Sequence, residues 1–168
     1  MSVWLVRAGS SGEKSSHFRE DGCISIGYNL TDDLTDKATW PDIRASLRKS
    51  NGSARRPQID QVWQFLWTIQ EGDLILTPAS SGFTEVMVGR VSEGRPWFNS
   101  HAAINGDHGH RRKVEWATSL LELTNQVATK YRLWSVRRTV YRIAESDLDF
   151  WMSVVASEPG GSVLLPPS

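Results

Sequence analysis

The stretch VGRVSEGRPWFNSHAAINGDHGHRRKVEW, residues 88–116, gathers the side chains best suited to chemistry: Trp97 and Phe98, the histidines His101, His108 and His110 around Asp107, and the basic run Arg111, Arg112 and Lys113. Imidazole nitrogens and a carboxylate could ligate a divalent metal. Crowded into one glycine-flanked loop, however, they lack the rigid spacing of a metal site. Solvated loop histidines are the expected reading, with no metal and no other cofactor. The aromatics point elsewhere. A ring at a strand end or in a loop can stack on a planar ligand for about 1–3 kcal/mol per base, and adjacent cations can neutralise phosphates. The competing reading is a ring folded down as a loop anchor.

Catalytic constellations are missing from the chain. A restriction-type nuclease needs acidic residues to hold a metal and, one spacer later, a lysine to steady the attacking water. No Glu-x-Lys, Asp-x-Lys or Gln-x-Lys triplet occurs. There is likewise no G-x-S-x-G, no G-x-x-x-x-G-K and no cysteine pair for zinc. A binding domain is expected rather than an enzyme.

The 168 residues carry 19 basic and 19 acidic side chains, and this neutrality argues weakly against a nucleic-acid partner. It hides a pattern, because residues 44–56 sum to +5 and residues 90–142 to +6, whereas 1–43, 57–89 and 143–168 sum to −3, −4 and −4. Two segments therefore hold 15 of the 19 basic residues. If they meet in space they form one basic face, the footprint of a phosphate-backbone binder, with Arg55, Arg56, Arg95, Arg111, Arg112 and Lys113 as the expected phosphate contacts. The alternative is a solvated helix end, basic as the helix dipole favours.

The elements that must position these groups can be read coarsely. VWLVR (3–7) and CISIGY (23–28) are strand-like, and AGSSGE between them is a glycine-serine loop expected to be flexible. TWPDIRASLRK places Thr39 and Asp42 in a capping-box spacing with Pro41 in the first turn, predicting a short helix. From Pro57, the residues Ile59, Val62, Trp63, Leu66, Trp67 and Ile69 follow helical spacing up to Gly72, predicting the main core helix, with Trp63 and Trp67 in the core. DLILT, TEVMVGRV, RRKVEW and TVYRI complete the strands. Residues 118–138 suggest helical turns, and Ser146 with Asp149 suggests a cap for a last helix. A single domain over 1–157 is expected, with 158–168 a linker or C-terminal tail. The lone Cys23, the absence of a secretory core in residues 1–20 and the lack of any run of about 18 apolar residues predict a cytoplasmic protein with no membrane partner. Alternating strands and short helices without βαβ spacing predict an α+β fold around a curled, mostly antiparallel sheet with barrel-like closure.

The series VWLVRAGSSGE, SIGY, QVWQFLWTIQEGDLILTP, VGRVSEG, HRRKVEW and VYRI, collinear from residue 3 to about 143, resembles the PUA-like domain of the EVE and YTH type that precedes the catalytic domain in Mrr-type and related modification-dependent restriction proteins. The resemblance implies a domain that flips a modified base out of nucleic acid into an aromatic pocket. By position it implies Tyr28 as one wall, Trp97 or Phe98 as the opposing wall, Gln61 as a reader of a base edge, and Arg7, Gly9 and Ser10 as the place where backbone approaches the base. The chain departs from the pattern in its loop, where FNSHAAINGDHGH stands in place of GPY, and near its end, where WSVRRTVYRI replaces a more apolar run.

Together these features predict a DNA-binding specificity module for antiphage restriction that recognises a modified base, with a modified cytosine such as 5-methylcytosine as first candidate. Its partner would be DNA carrying that base, and any cutting would belong to a nuclease domain or subunit. An RNA-binding PUA-like module and a protein-interaction domain without nucleic-acid binding are the two other expectations.

Overall fold

The computed structural model describes residues 1–36, 39–79, 84–131 and 138–157. It is a mixed α+β structure built on one curled, mostly antiparallel sheet. The strands are β1 (Val3–Val6), β2 (Cys23–Ile26), β3 (Leu74–Pro78), β4 (Glu85–Val91), β5 (Trp97–Phe98), β6 (His110–Trp116), β7 (Leu121–Glu122) and β8 (Val140–Arg142). Their order is β2-β6-β4-β3-β1-β8, with β5 on β6 and β7 on β4. The pairing of β1 with β3 is parallel and the others are antiparallel. The helices are α1 (Ser15–Asp21), α2 (Trp40–Asn51), α3 (Arg56–Trp63), α4 (Ser100–Ile104), α5 (Asn125–Lys130) and α6 (Leu148–Ser157). Among the described residues no helix is long and apolar enough to cross a membrane.

The central strands are apolar on both faces because each face meets a core. In β1, Trp4 and Val6 join Ile75, Met87, Ile24, Ile26 and the helix residues Ile43, Leu47, Ile59 and Val62. Val3 and Leu5 point the other way, to Leu74, Leu76, Val86, Val88 and the α6 residues Trp151 and Val155. Successive side chains of a strand alternate faces, so four residues serve two cores. Helices α2 and α3 thus pack on one side of the sheet and α6 on the other.

Two local devices fix the frame. Thr39 and Asp42 make the expected capping box at the start of α2. At the EGD turn, Gly72 takes φ +85° and the buried Asp73 carboxylate accepts from Ser2 N at 2.7 Å, Trp4 Nε1 at 2.9 Å and Gln70 N at 3.0 Å. That turn ties the start of β3 to the start of β1.

Several expectations are corrected. The core helix is α3 followed by a π-helical turn, Gln64–Thr68, so it ends at Ile69 rather than Gly72. The one-residue widening of a π turn leaves Phe65, Leu66 and Ile69 buried while Trp63 stays 37% exposed, outside the core. The long loop after β4 contains β5 and α4. The last helix begins from a 3-10 turn, Glu145–Asp147, without a side-chain cap. Within the AGSSGE corner Glu13 accepts from Ser11 N at 2.8 Å, Ser11 Oγ at 2.9 Å and Ser10 N at 3.2 Å. These donors hold its carboxyl down at about 2. The expected tail, 158–168, lies outside the described residues.

Candidate functional site

A cavity of about 250 Å³ opens where the ends of β1 and β2 meet the starts of β6 and β8, lined by Arg7, Gly9, Ser10, Gly27, Tyr28, His108 and Thr139. In the sheet, β1 and β2 are separated by three strands. That both reach one cavity is a direct consequence of the curl.

Tyr28 follows β2 with φ +51°, and Asn29 follows with φ +54°. Non-glycine residues in left-handed backbone cost on the order of 1–3 kcal/mol each and persist only where surroundings impose them. Here the imposing residue is Asn51, at the end of α2. Its Nδ2 donates to Tyr28 O at 2.8 Å and its Oδ1 accepts from Asn29 Nδ2 at 2.9 Å. The Tyr28 hydroxyl donates to Gln61 Oε1 at 2.8 Å. Burial pushes its pKa up, so the ring is a neutral phenol held at both ends.

His108 supplies a second flat group. Its Nδ1 lies 2.9 Å from Ser25 Oγ. Burial drives its pKa down to about 4, leaving a neutral imidazole that offers one donor and one acceptor. The ring passes close over Gly27, where a Cβ would come within 2.6 Å of it. Glycine in SIGY is therefore required for close approach. The adjacent Asp107 accepts from Lys14 Nζ at 2.5 Å and from His108 N at 2.7 Å, with Lys14 holding its carboxyl at about 2. Arg7 completes the lining: its backbone N donates to Thr139 O at 2.8 Å and its Nη2 to Ser10 O at 2.5 Å.

The cavity therefore brings together four expected residues, Arg7, Gly9, Ser10 and Tyr28. Gln61 stands behind them with its amide already committed. Oε1 accepts from Tyr28 Oη, Thr139 N at 2.6 Å and Val140 N at 3.1 Å, while Nε2 donates to Pro57 O at 3.0 Å. At 6% exposure it is a latch between the end of β2 and the start of β8 rather than an edge reader.

Trp97 and Phe98 are not in the lining. Phe98 turns inward, its ring centroid 4.7 Å from that of His110, and packs where a Cβ on Gly109 would stand. Trp97 pairs with Arg111 across β5 and β6 and is 40% exposed. Strand alternation puts the two rings on opposite faces. The opposing flat group is His108 instead. Thr139 and Gly27 were also missed by sequence reasoning. The available signal was the glycine before Tyr28, whose missing side chain implies a close neighbour.

The expected phosphate contacts separate by the same alternation. Arg112 shares the inner face of β6 with His110 and Val114 and is 6% exposed. Its Nη1 donates to Phe65 O at 3.4 Å and Leu66 O at 3.3 Å, in the π turn, and burial lowers its pKa. It is a structural cap. Arg111 faces outward but is ion-paired with Asp21 at 3.3 Å and Asp107 at 4.0 Å. Arg55, Arg56, Arg95 and Lys113 are exposed. Arg56 lines a groove with Arg44, Arg48 and Trp40, in which Arg44 lies over the Trp40 ring at 5.2 Å. Arg95 lies instead at a separate hollow beside Trp67 and Pro96. Among the described residues the basic side chains of the two segments thus border more than one hollow. The histidines are committed as well, since His110 Nε2 accepts from Leu34 N at 3.1 Å. Among the described residues no cluster of three or more His, Cys, Asp or Glu side chains has metal-binding geometry.

Comparison with known proteins gives three findings. The family described as Domain of unknown function (DUF8426) matches residues 4–144. No curated protein matches significantly. Among solved structures the chain is similar to the X-ray crystal structure of protein Atu2648 from Agrobacterium tumefaciens, a structural genomics target, with 13% identity, 100% of each chain covered and a TM-score of 0.42.

Proposed function

We propose that this chain, which belongs to the DUF8426 family, is a PUA-like reader domain that takes one modified base of DNA into the cavity between Tyr28 and His108. The observation that carries the reading is the construction of that cavity. A phenol is pinned in strained backbone, a neutral imidazole crosses a glycine, and the backbone at Gly9 and Ser10 comes close, all around about 250 Å³. Ordinary ligand pockets start at about 300 Å³, so the space suits a single flat ring, and a modified cytosine is the first candidate. A flipped base is held by stacking and by hydrogen bonds to its edge. Tyr28 supplies a face, and His108 and Arg7 supply donors and an acceptor. A small mark is sensed by whether it packs or clashes, a discrimination of about 1–3 kcal/mol.

Arg44, Arg48, Arg55 and Arg56 would hold the phosphate backbone. The module binds and does not cut; it would direct a nuclease in another domain or subunit in modification-dependent defence.

The test is fluorescence polarisation at two salt concentrations. The DNA is otherwise identical and carries cytosine, 5-methylcytosine, 5-hydroxymethylcytosine, N4-methylcytosine or N6-methyladenine, with an RNA of the same sequence beside it. Tighter binding to one marked DNA, weakening with salt, supports the reading. Equal binding to all, stronger binding to RNA, or no binding rejects it.

A further inference from the structure

A second cavity is linked to the wall of the first through Gln61. It encloses about 280 Å³ and is lined by Asp60, Gln61, Trp63, Gln64, Thr68 and Arg138, among others. Its Gln61 Oε1 accepts from Tyr28 and Thr139, both of which line the first cavity. Arg138, the residue before Thr139, lines the second. The walls of two spaces of similar size are thus linked through one amide and through consecutive residues of the chain.

The second space has a stacking surface. Trp63 is 37% exposed, although its neighbours Ile59, Val62 and Phe65 are buried. Its ring lies 6.3 Å from that of Trp67 at 57°, so it is braced from one side and open on the other. The polar groups around it, the Asp60 carboxylate, the Gln64 amide and the Thr68 hydroxyl, can meet a base edge. Arg138 is exposed and makes no ion pair among the described residues.

We propose that the second cavity takes the nucleobase next to the flipped one, stacked on Trp63, with Arg138 at the phosphate between them. The protein then reads a two-nucleotide context rather than an isolated mark. This rests on the reader function proposed above. The similar volumes and the linked walls, with Arg138 on one and Thr139 on the other, favour a neighbouring base over an unrelated small molecule, because consecutive bases of an unstacked strand are joined by a single phosphodiester.

The experiment uses single-stranded DNA nonamers whose centre carries the tightest-binding of the five bases named above. The flanks are intact or carry an abasic site on the 5′ or the 3′ side. Wild type, Trp63→Ala and Trp63→Phe are compared by polarisation. Trp63→Ala is expected to lose between about five- and 150-fold affinity for the intact strand, the worth of one stacked base. On the nonamer lacking the neighbouring base it should match wild type within twofold, and Trp63→Phe should retain most of the affinity. Wild-type affinity of Trp63→Ala for the intact strand, or an equal loss on intact and both abasic strands, overturns the inference while leaving the reader intact. Failure of wild type to distinguish any marked base overturns the reader itself, and this inference with it.

Discussion

Gln61→Met removes the acceptor that joins the end of β2 to the start of β8 while keeping the length and volume of the side chain. Three donors lose their partner: Tyr28 Oη, Thr139 N and Val140 N. Tyr28 borders the open cavity, where water can replace the lost bond. Thr139 lines the same cavity, so water can reach its N–H as well, and each bond so replaced costs about 0.5–1.5 kcal/mol, whereas Val140 is fully buried and its unpaired N–H costs about 1–3 kcal/mol. The expected loss is about 2–6 kcal/mol, a large part of the roughly 5–15 kcal/mol that holds an ordinary domain. At about 2–4 °C per kcal/mol for a chain of this size, Tm should fall by roughly 5–20 °C. Tyr28→Phe is the comparator: it removes one donor and leaves Gln61 with two, so its cost should stay near 1 kcal/mol. Circular dichroism melts of the three proteins decide the matter. If Gln61→Met melts within a degree or two of wild type, the closure of the curled sheet does not depend on this latch and the reasoning is wrong.

Other perturbations reach the cavity and the charges separately. Gly27→Ala forces the His108 ring away from a new Cβ that would lie 2.6 Å from it; overpacking costs about 1–3 kcal/mol, and the ratio of Kd for unmarked to marked DNA should fall towards one, which paired melts and polarisation titrations would measure. Burial holds His108 and His110 near pKa 4 in the fold against about 6.5 unfolded, so the unfolded chain takes up protons first. Stability is then full above about pH 6.5 and is lost as pH falls towards 4, by about 2 kcal/mol per histidine between pH 7 and 5; urea melts at the two pH values should show this, and His110→Gln should remove about half of the difference. Arg56→Gln should reduce the slope of log affinity against log salt by about one, whereas Arg112→Met, altering a buried cap, should leave it unchanged.

Much of the frame was legible from local patterns. Thr39, Pro41 and Asp42 announced α2 because a capping box is a contact between residues three apart. The alternation in VWLVR and CISIGY announced strands because period two is a property of the backbone. What could not be read were consequences of curl and facing. Trp97 and Phe98 looked equivalent in sequence, but the strand they form sends one outward and the other onto His110. Arg111 and Arg112 looked like one basic run, yet adjacent positions on β6 fall on opposite sides of the sheet. His108 was hidden for a related reason: its importance depends on β6 starting beside the end of β2, a juxtaposition across more than 80 residues. Gln61 looked like a surface or edge-reading amide because nothing in its neighbourhood reveals that Thr139 and Val140 come back to it.

The most direct measurement compares Tyr28→Asn with Trp97→Ala for the marked DNA that binds wild type tightest and for its unmarked counterpart. Asparagine tolerates the left-handed backbone at position 28, so the change removes the ring without adding strain. Tyr28→Asn should lose the preference for the mark while Trp97→Ala keeps it. Loss of the preference in Trp97→Ala with its retention in Tyr28→Asn would contradict the assignment of the cavity.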